Sequence, residues 1–321
     1  MMKAAVVTAP GSQPIYMDFR RPEPREGEHI VEVSASALSQ LARGRAAGRH
    51  YSSSNSYPQV VGVDGAGRLN DGRRVYFFGA TAPFGAMAEF APVAQTQCIA
   101  LPAAISDVTA AAIANPGMSS WAALTERAHL VRGETVLING ATGESGQLAV
   151  QIARLLGAEK IIATGRNPEK LERLRAGGVD TTITLASDES EMKEAFSAAL
   201  RSGIDVVLDY LWGPSAHALL LAAASASPVE RALRFVQIGS MGGLELSLPA
   251  AVLRSKPISL MGSGIGSVPF THLLKAIEGV LHAAADGHLH ITADAVPLAD
   301  LAQHWDDQAG KGRKVFVPNP R

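Results

Sequence analysis

Cysteine is nearly missing from this chain, with Cys98 the only one among 321 residues. A disulfide framework within the chain is therefore excluded, and so is any zinc cluster built from cysteines. Cys98 lies in an apolar, strand-like run, TQCIALP, and is expected to be a buried, inert thiol. Aromatic residues make up only 5%, which argues against a large flat aromatic platform. No apolar run reaches the roughly 18 residues a membrane-spanning helix needs. The N-terminal MMKAAVVTAPG leads into a strand without the layout of a signal peptide. Neither sign of charge is in excess, the formal net charge being −1, so nothing favours nucleic acid or an anionic membrane surface. A soluble, cytoplasmic protein is the expectation. Its 47% hydrophobic and 18% charged residues are those of a globular chain, and its length suits two domains.

What the chain does have is a glycine turn. Thr135 to Asn139 (TVLIN) reads as a strand buried on both faces. Gly140 opens a turn, and Ala141-x-Gly143-x-x-Gly146 places small residues where a dinucleotide fold needs them. The first is expected to bend the chain, the second to let backbone amides near a pyrophosphate, and the third to let a helix lie close on the strand. From Ser145 the apolar positions Leu148, Val150, Ile152, Leu155 and Leu156 make one stripe of that helix, whose free N-terminal amides form an anion site. Ala141, Thr142, Gly143, Glu144, Ser145 and Gly146 are thus candidate cofactor contacts. Lys160 to Thr164 (KIIAT) is the returning strand. It ends in Thr164-Gly165-Arg166-Asn167, without the carboxylate that an NAD site sets against the ribose. Arg166 can fork onto a 2′-phosphate, and Lys170 adds a second charge one turn after the Asn167 cap and Pro168. Gly165, Arg166, Asn167 and Lys170 therefore predict NADPH as the cofactor.

Around this centre the chain divides. Residues 3 to about 115 are β-rich, with strands expected at 3–8, 29–37, 60–69, 73–78, 85–91 and 97–101 and one helix at 38–47. Gly48 to Pro58 is the most loop-like stretch. Residues 106–130 turn helical, with a break at Asn115-Pro116-Gly117. Strands near 135–139, 160–164, 181–185, 204–209, 233–239 and 257–262 then alternate with helices, the pattern of one doubly wound parallel sheet. Gly239-Ser240-Met241 and Gly262-Ser263 end the last two of these strands, at the carboxyl edge where such sheets bind ligands. A helix over 269–285 and short elements to Val317 return to the first domain.

Several runs together resemble the medium-chain dehydrogenase/reductase family, in its zinc-free quinone oxidoreductase branch. They are NGATGESGQLAVQIARLLGA, Pro58-x-x-x-Gly62-Val63-Asp64-Gly65-Ala66-Gly67, DVVLDY at 205–210, FVQIG at 235–239 and Gly312-Arg313-Lys314-Val315. The resemblance covers nearly the whole length. It implies an α/β fold in which a Rossmann doubly wound parallel six-stranded sheet (residues 117–266) accompanies a GroES-like, β-rich catalytic domain. That domain takes residues 1–116 and the returning 267–321, and a homodimer joined through the Rossmann sheets is implied as well. Zinc-dependent relatives hold their catalytic metal with two Cys and a His. The matching positions here carry Ser39, Val63 and Asn115, and no metal is expected. His288 and His290, the nearest histidine pair, are expected as exposed polar residues. Three positions depart from the family pattern: Leu185 where many members have Tyr, Ser39 where Asn is usual, and Glu144 in place of a small residue.

Without a Lewis acid the substrate must accept hydride readily, so a small electrophile such as a quinone or an α,β-unsaturated carbonyl is expected. Tyr51 and Ser39, with Tyr57 behind them, are the candidate proton donors or oxyanion partners. Two alternatives stay open. An enoyl-thioester reductase would use Arg43, Arg45 and Arg49 for a carrier phosphate, and an NADPH-binding redox sensor would turn over little.

Overall fold

The computed structural model describes residues 1–53, 56–186, 188–228, 230–307 and 312–318. The chain forms two compact units, Met1–Asn115 with Glu278–Arg321, and Pro116–Ile277. The sequence puts the return to the first unit at residue 267. In the structure it falls at Glu278, inside a single long helix that begins in one unit and ends in the other.

The first unit opens with β1 (Met2–Val7), β2 (Ile15–Phe19), β3 (Glu28–Ala37), α1 (Gln40–Ala46), β4 (Gln59–Val60), β5 (Asp64–Arg68), β6 (Arg74–Phe78), β7 (Phe90–Ala94) and β8 (Cys98–Ala100). Strands β2, β1 and β4 form one antiparallel sheet. A larger sheet is built around β3, which pairs antiparallel with β5 and β7. Two departures from the expected strands have local causes. The run 60–69 is broken at Gly62, whose φ of +98° no other residue adopts without strain. The run 85–91 becomes a strand only at Phe90, because Gly85 and Met87 pack against the Val60–Val61 backbone, Met87 N–H donating to Val61 O at 2.9 Å. β2, none of whose side chains is fully buried, is an element the sequence reading lacks.

Helix α2 (Asp107–Ala122) runs straight through Pro116, where a break is expected. An interior proline costs a helix about 3 kcal/mol. Residues 110–118 are all buried, and that packing outweighs the cost.

In the second unit β9 (Thr135–Asn139), α3 (Glu144–Leu155), β10 (Lys160–Gly165), α4 (Pro168–Ala176), β11 (Thr181–Thr184), α5 (Glu189–Arg201), β12 (Val206–Asp209), α6 (Gly213–Ala226), β13 (Leu233–Gln237), α7 (Val252–Ser255) and β14 (Ile258–Gly262) alternate. The six strands form one parallel sheet in the order β11-β10-β9-β12-β13-β14. The order reverses beside β9, so the turn leaving β9 stands at the switch point of the sheet. Strand β9 is buried throughout, as its unbroken apolar run implies. Phe196 of α5 and Phe235 of β13 fill the core on one face, each worth about 1.5–3 kcal/mol by burial. On α3, Leu148, Val150 and Ile152 are buried, but Leu155 is exposed at the last turn.

Helix α8 (Phe270–Ala285) leads back to the first unit, followed by β15 (Ala293–Pro297), α9 (Leu301–His304) and β16 (Arg313–Val317). β16 joins the large sheet antiparallel to β3, with β15 parallel to it at the edge.

Candidate functional site

The bend after β9 is made by Gly140, at φ +92°, and not by Ala141 as the motif suggests. Ala141 is fully buried, and its N–H donates to Thr164 O at 2.8 Å, while Gly140 N–H donates to Thr164 Oγ1 at 3.1 Å. The turn is thereby pinned to the end of β10. Gly146 lies so close beneath it that a Cβ would sit 2.6 Å from Ala141 Cα. Gly165 is held the same way against Thr142, with a Cβ 2.7 Å from its Oγ1. Gly143 differs, since a Cβ there would touch only Gly140 O, at 3.7 Å. Gly146 thus lets backbone meet backbone, Gly165 makes room for the Thr142 side chain, and Gly143 leaves the face before the turn clear.

Gly143 is also the N-cap of α3, extended and with no side-chain cap. The first-turn amides, those of Glu144, Ser145 and Gly146, are therefore left without a capping side chain, a partial positive charge suited to an anion. Glu144 is exposed. After β10, Arg166, Asn167 and Lys170 are all exposed, and Asn167 Oδ1 caps α4 by accepting from Lys170 N–H at 2.9 Å. The first carboxylate beyond the strand is Glu169, exposed on the first turn of α4. Leu185, whose N–H donates to Gly165 O at 2.8 Å, is buried in the core and brings no polar side chain to the strand ends.

Beneath the turn is a buried polar network absent from the reading of the sequence. Asn139 Nδ2 donates to Asp209 Oδ1 at 2.8 Å and to Ser215 Oγ at 3.0 Å, and Thr164 Oγ1 donates to Asn139 Oδ1 at 2.7 Å. Asp209 also accepts from Leu211 N–H and Trp212 N–H. Burial pushes the Asp209 carboxyl up to about 6, against the pull of these donors. Trp212 sits at φ +56°, a strained conformation for a bulky residue, and its N–H bond to Asp209 helps hold it there. The available signal was a polar residue closing an apolar strand, Asn139 in TVLIN and Asp209 in VVLD.

At the far side of the same sheet edge, Ser240 and Gly262 line a cavity of about 360 Å³ with Trp212, Gln237 and Leu260. Gly239 packs on the Tyr210 carbonyl, and Met241 is 65% exposed, outside the cavity lining. Ser263 N–H donates to Gln237 O at 2.8 Å, and Gly262 O accepts from Arg127 Nε at 2.8 Å.

In the first unit Ser39 is buried and caps α1, its Oγ accepting from Ala42 N–H at 2.9 Å. Tyr51 is exposed and stacks on His50, with ring centroids 4.1 Å apart. The Tyr57 hydroxyl is buried without a hydrogen-bond partner among the described residues. Arg43 and Arg49 line a second cavity, of about 580 Å³, together with Gln13, Gln40, Trp305 and Asp306. Arg45 is not part of it, donating instead through Nε to Ser52 Oγ at 2.8 Å. Fully buried Asp64 accepts from Tyr76 OH at 2.8 Å and from Asn115 Nδ2 at 3.0 Å. Desolvation raises both the Asp64 carboxyl and the Tyr76 phenol.

Residues 146–280 match the family model described as zinc-binding dehydrogenase. The chain is 28% identical over 361 aligned positions to a protein of Emericella nidulans named probable NADPH-dependent quinone reductase, covering 99% of each. The chain belongs to the medium-chain dehydrogenase/reductase family. Within it the chain is quinone-oxidoreductase-like, and it is an oxidoreductase. The fold agrees with that of the Pseudomonas syringae quinone oxidoreductase, at a TM-score of 0.84, 22% identity and coverage of 99% and 100% of the two chains. A different relative is phthioceranic/hydroxyphthioceranic acid synthase of Mycobacterium tuberculosis, 32% identical over 233 residues. That alignment takes in 69% of this chain but 10% of the synthase.

The zinc in the family model's description does not fit the residues at the matching positions. Val63 has no donor atom, Ser39 is occupied in capping a helix, and the Asn115 amide is spent on Asp64. Within 146–280, His217 is paired with Glu189 and His272 with Glu126. Cys98 is the single cysteine of the chain, and one sulfur does not make a site that needs three or four ligands. Among the described residues no three His, Cys, Asp or Glu side chains are grouped to hold a metal. A dinucleotide, by contrast, fits the glycine turn, where the uncapped helix and the cleared Gly143 face leave room for a phosphate.

Proposed function

We propose that this chain is an NADPH-dependent reductase that passes hydride to quinones or activated alkenes without a metal. The observation that carries the reading is the turn after β9. Gly146 brings helix backbone to turn backbone, Gly165 makes room for the Thr142 side chain, Gly143 is open, and α3 presents uncapped amides at the switch point of the sheet. In this reading the amides of Thr142 to Gly146 take the pyrophosphate, and Arg166, Asn167 and Lys170 take the 2′-phosphate. Gly239, Ser240, Met241, Gly262 and Ser263 border the nicotinamide half. The bound cofactor supplies the hydride. The protein's own part is to fix the distance between reactants and to meet the charge that develops on oxygen, with Tyr51 as proton donor and Ser39 near it in sequence. The name of the Emericella relative supports this choice of cofactor and acceptor.

An enoyl-thioester acceptor is the second reading. It is favoured by the likeness to a segment of the mycobacterial synthase and by the cavity that gathers Arg43 and Arg49. A homodimer joined along β14, the last strand in the sheet order, goes with either reading, as does a cytoplasmic setting. Among the described residues no helix is long and apolar enough to cross a membrane.

The test is consumption of NADPH by chelator-treated protein with a small quinone, an enone and an enoyl thioester in parallel. Fast turnover of the quinone or enone supports the main reading. Thioester turnover alone shifts it to the second. Tight NADPH binding without turnover on any acceptor points to a redox sensor.

A further inference from the structure

At the carboxyl edge of the parallel sheet, three buried side chains are bonded in one direction. Strand β9 lies between β10 and β12, and the parallel register sets Asn139 beside Asp209 where β9 and β12 end. The Gly140 N–H, which can only donate, takes one lone pair of Thr164 Oγ1 at 3.1 Å. The one proton of that hydroxyl then goes to Asn139 Oδ1 at 2.7 Å. This fixes the Asn139 amide. Its Nδ2 donates to Asp209 Oδ1 at 2.8 Å and to Ser215 Oγ, on the first turn of α6, at 3.0 Å, and a flipped amide would set oxygen against the Asp209 oxygen. From the other side Leu211 N–H reaches Asp209 Oδ1 at 3.1 Å, and Trp212 N–H reaches Oδ2 at 3.1 Å. Asn139, Thr164 and Asp209 are all fully buried, so solvent does not make good a bond lost here. The network ends on backbone at both ends. One end is Gly140, at φ +92°, from which the chain runs into the uncapped start of α3. The other is Trp212, at φ +56°, which lines the cavity with Ser240 and Gly262. The two turns also pack on each other, since a Cβ on Gly140 would meet Leu211 Cδ2 at 3.0 Å.

We propose that Asn139 is a positioning residue for the dinucleotide, holding the Gly140 turn through Thr164 and the Trp212 turn through Asp209, so that one network sets the pyrophosphate end and the cavity end of the site. The proposal rests on the reading of the glycine turn as the NADPH site. Glycine takes many conformations at little cost, so the bend at Gly140 needs a partner that selects one, and the Thr164 hydroxyl is that partner. Trp212 has the opposite need. A bulky residue leaves a strained conformation unless it is held, and Asp209 holds it. Amides that are already fixed when the pyrophosphate arrives lose no freedom on binding, and that is what the network contributes to affinity.

Two variants and two ligands test this by calorimetry. Thr164→Val keeps the shape of the side chain and removes its hydroxyl. It is expected to raise the NADPH dissociation constant about tenfold, the effect of a part-buried N–H left without its acceptor, and Thr164→Ser is expected to restore it. Asp209→Asn, which sets an NH2 group against either the Asn139 amide or the Trp212 N–H, is expected to weaken NADPH by a similar factor from the other end. Adenosine 2′-phosphate, which carries no pyrophosphate, separates positioning from plain destabilisation. Its affinity should stay unchanged in both variants, and an equal loss for the two ligands overturns the positioning role. In amide NMR of the protein without ligand, the Trp212 resonance is expected to move in Thr164→Val, and one that stays in place overturns the link between the turns. Should Thr164→Val fail to fold, Asp209→Asn with Gly140 as the observed amide carries the same comparison. NADPH binding unchanged in both variants overturns the proposal and leaves the cofactor reading standing, whereas wild-type protein that binds no NADPH overturns both.

Discussion

The glycine turn of the second unit and the polar groups of the first unit are both precisely placed, but by different means. At the turn the placement rests on backbone, with Gly146 against Ala141 and the Ala141 amide on the Thr164 carbonyl, and on one side chain, Thr142, against Gly165. In the first unit the placement is done by side chains, with Asp64 between Tyr76 and Asn115, and Arg45 and Ser52 behind His50. Backbone contacts dictate residue type position by position. Side-chain contacts require only that some partner be within reach, and many residue pairs can meet that need.

The largest effect expected from breaking the turn is with Gly146→Val, which forces a branched side chain into the Gly140–Ala141 backbone. A loss of more than about 3 kcal/mol is expected, read as a fall in unfolding midpoint together with NADPH affinity. Gly165→Ala sharpens the point because its clash is with a side chain. Most of its cost is expected to return in the Gly165→Ala, Thr142→Ala double variant, and a strictly additive pair would mean that the contact does not matter.

Next is the Asp209 network. Its carboxyl titrates at about 6 in the fold against an ordinary 3.8, so the native state keeps a proton that the unfolded chain has already released. Stability from this group therefore falls as pH rises from about 4 to about 6, by up to about 3 kcal/mol, and stays lower above that. Urea unfolding of the wild type against Asp209→Asn should show that slope vanish in the variant. Arg166→Ala is expected to cut the preference for NADPH over NADH about tenfold or more, and comparable constants for the two cofactors in both proteins would remove the assigned role of Arg166. The smallest effect on stability lies in the first unit, where Ser39→Ala loses the cap of α1 and should cost about 1 kcal/mol in thermal unfolding.

The same contrast explains what the sequence revealed. The six strands of the parallel sheet were legible because each is an apolar run closed by a turn, and the glycine positions because nothing larger fits at Gly146 and Gly165. The Asn139–Thr164–Asp209 network was not legible, since its members come from three strands far apart in sequence and each alone is an ordinary strand end. Pro116 misled because a local rule about helices was overridden by burial, and Gly85–Met87 because their backbone bonds to Val61 could not be read from the run itself.

The thiol of Cys98 has a consequence on the proposed reading. Quinones and enones are soft alkylating agents, and a thiolate is the side-chain group they attack fastest. Held half-buried with a pKa of about 11, this thiol is roughly four units from ionising at neutral pH. With its sole sulfhydryl kept in that unreactive form, the protein can meet its own substrates turn after turn without being tanned by them.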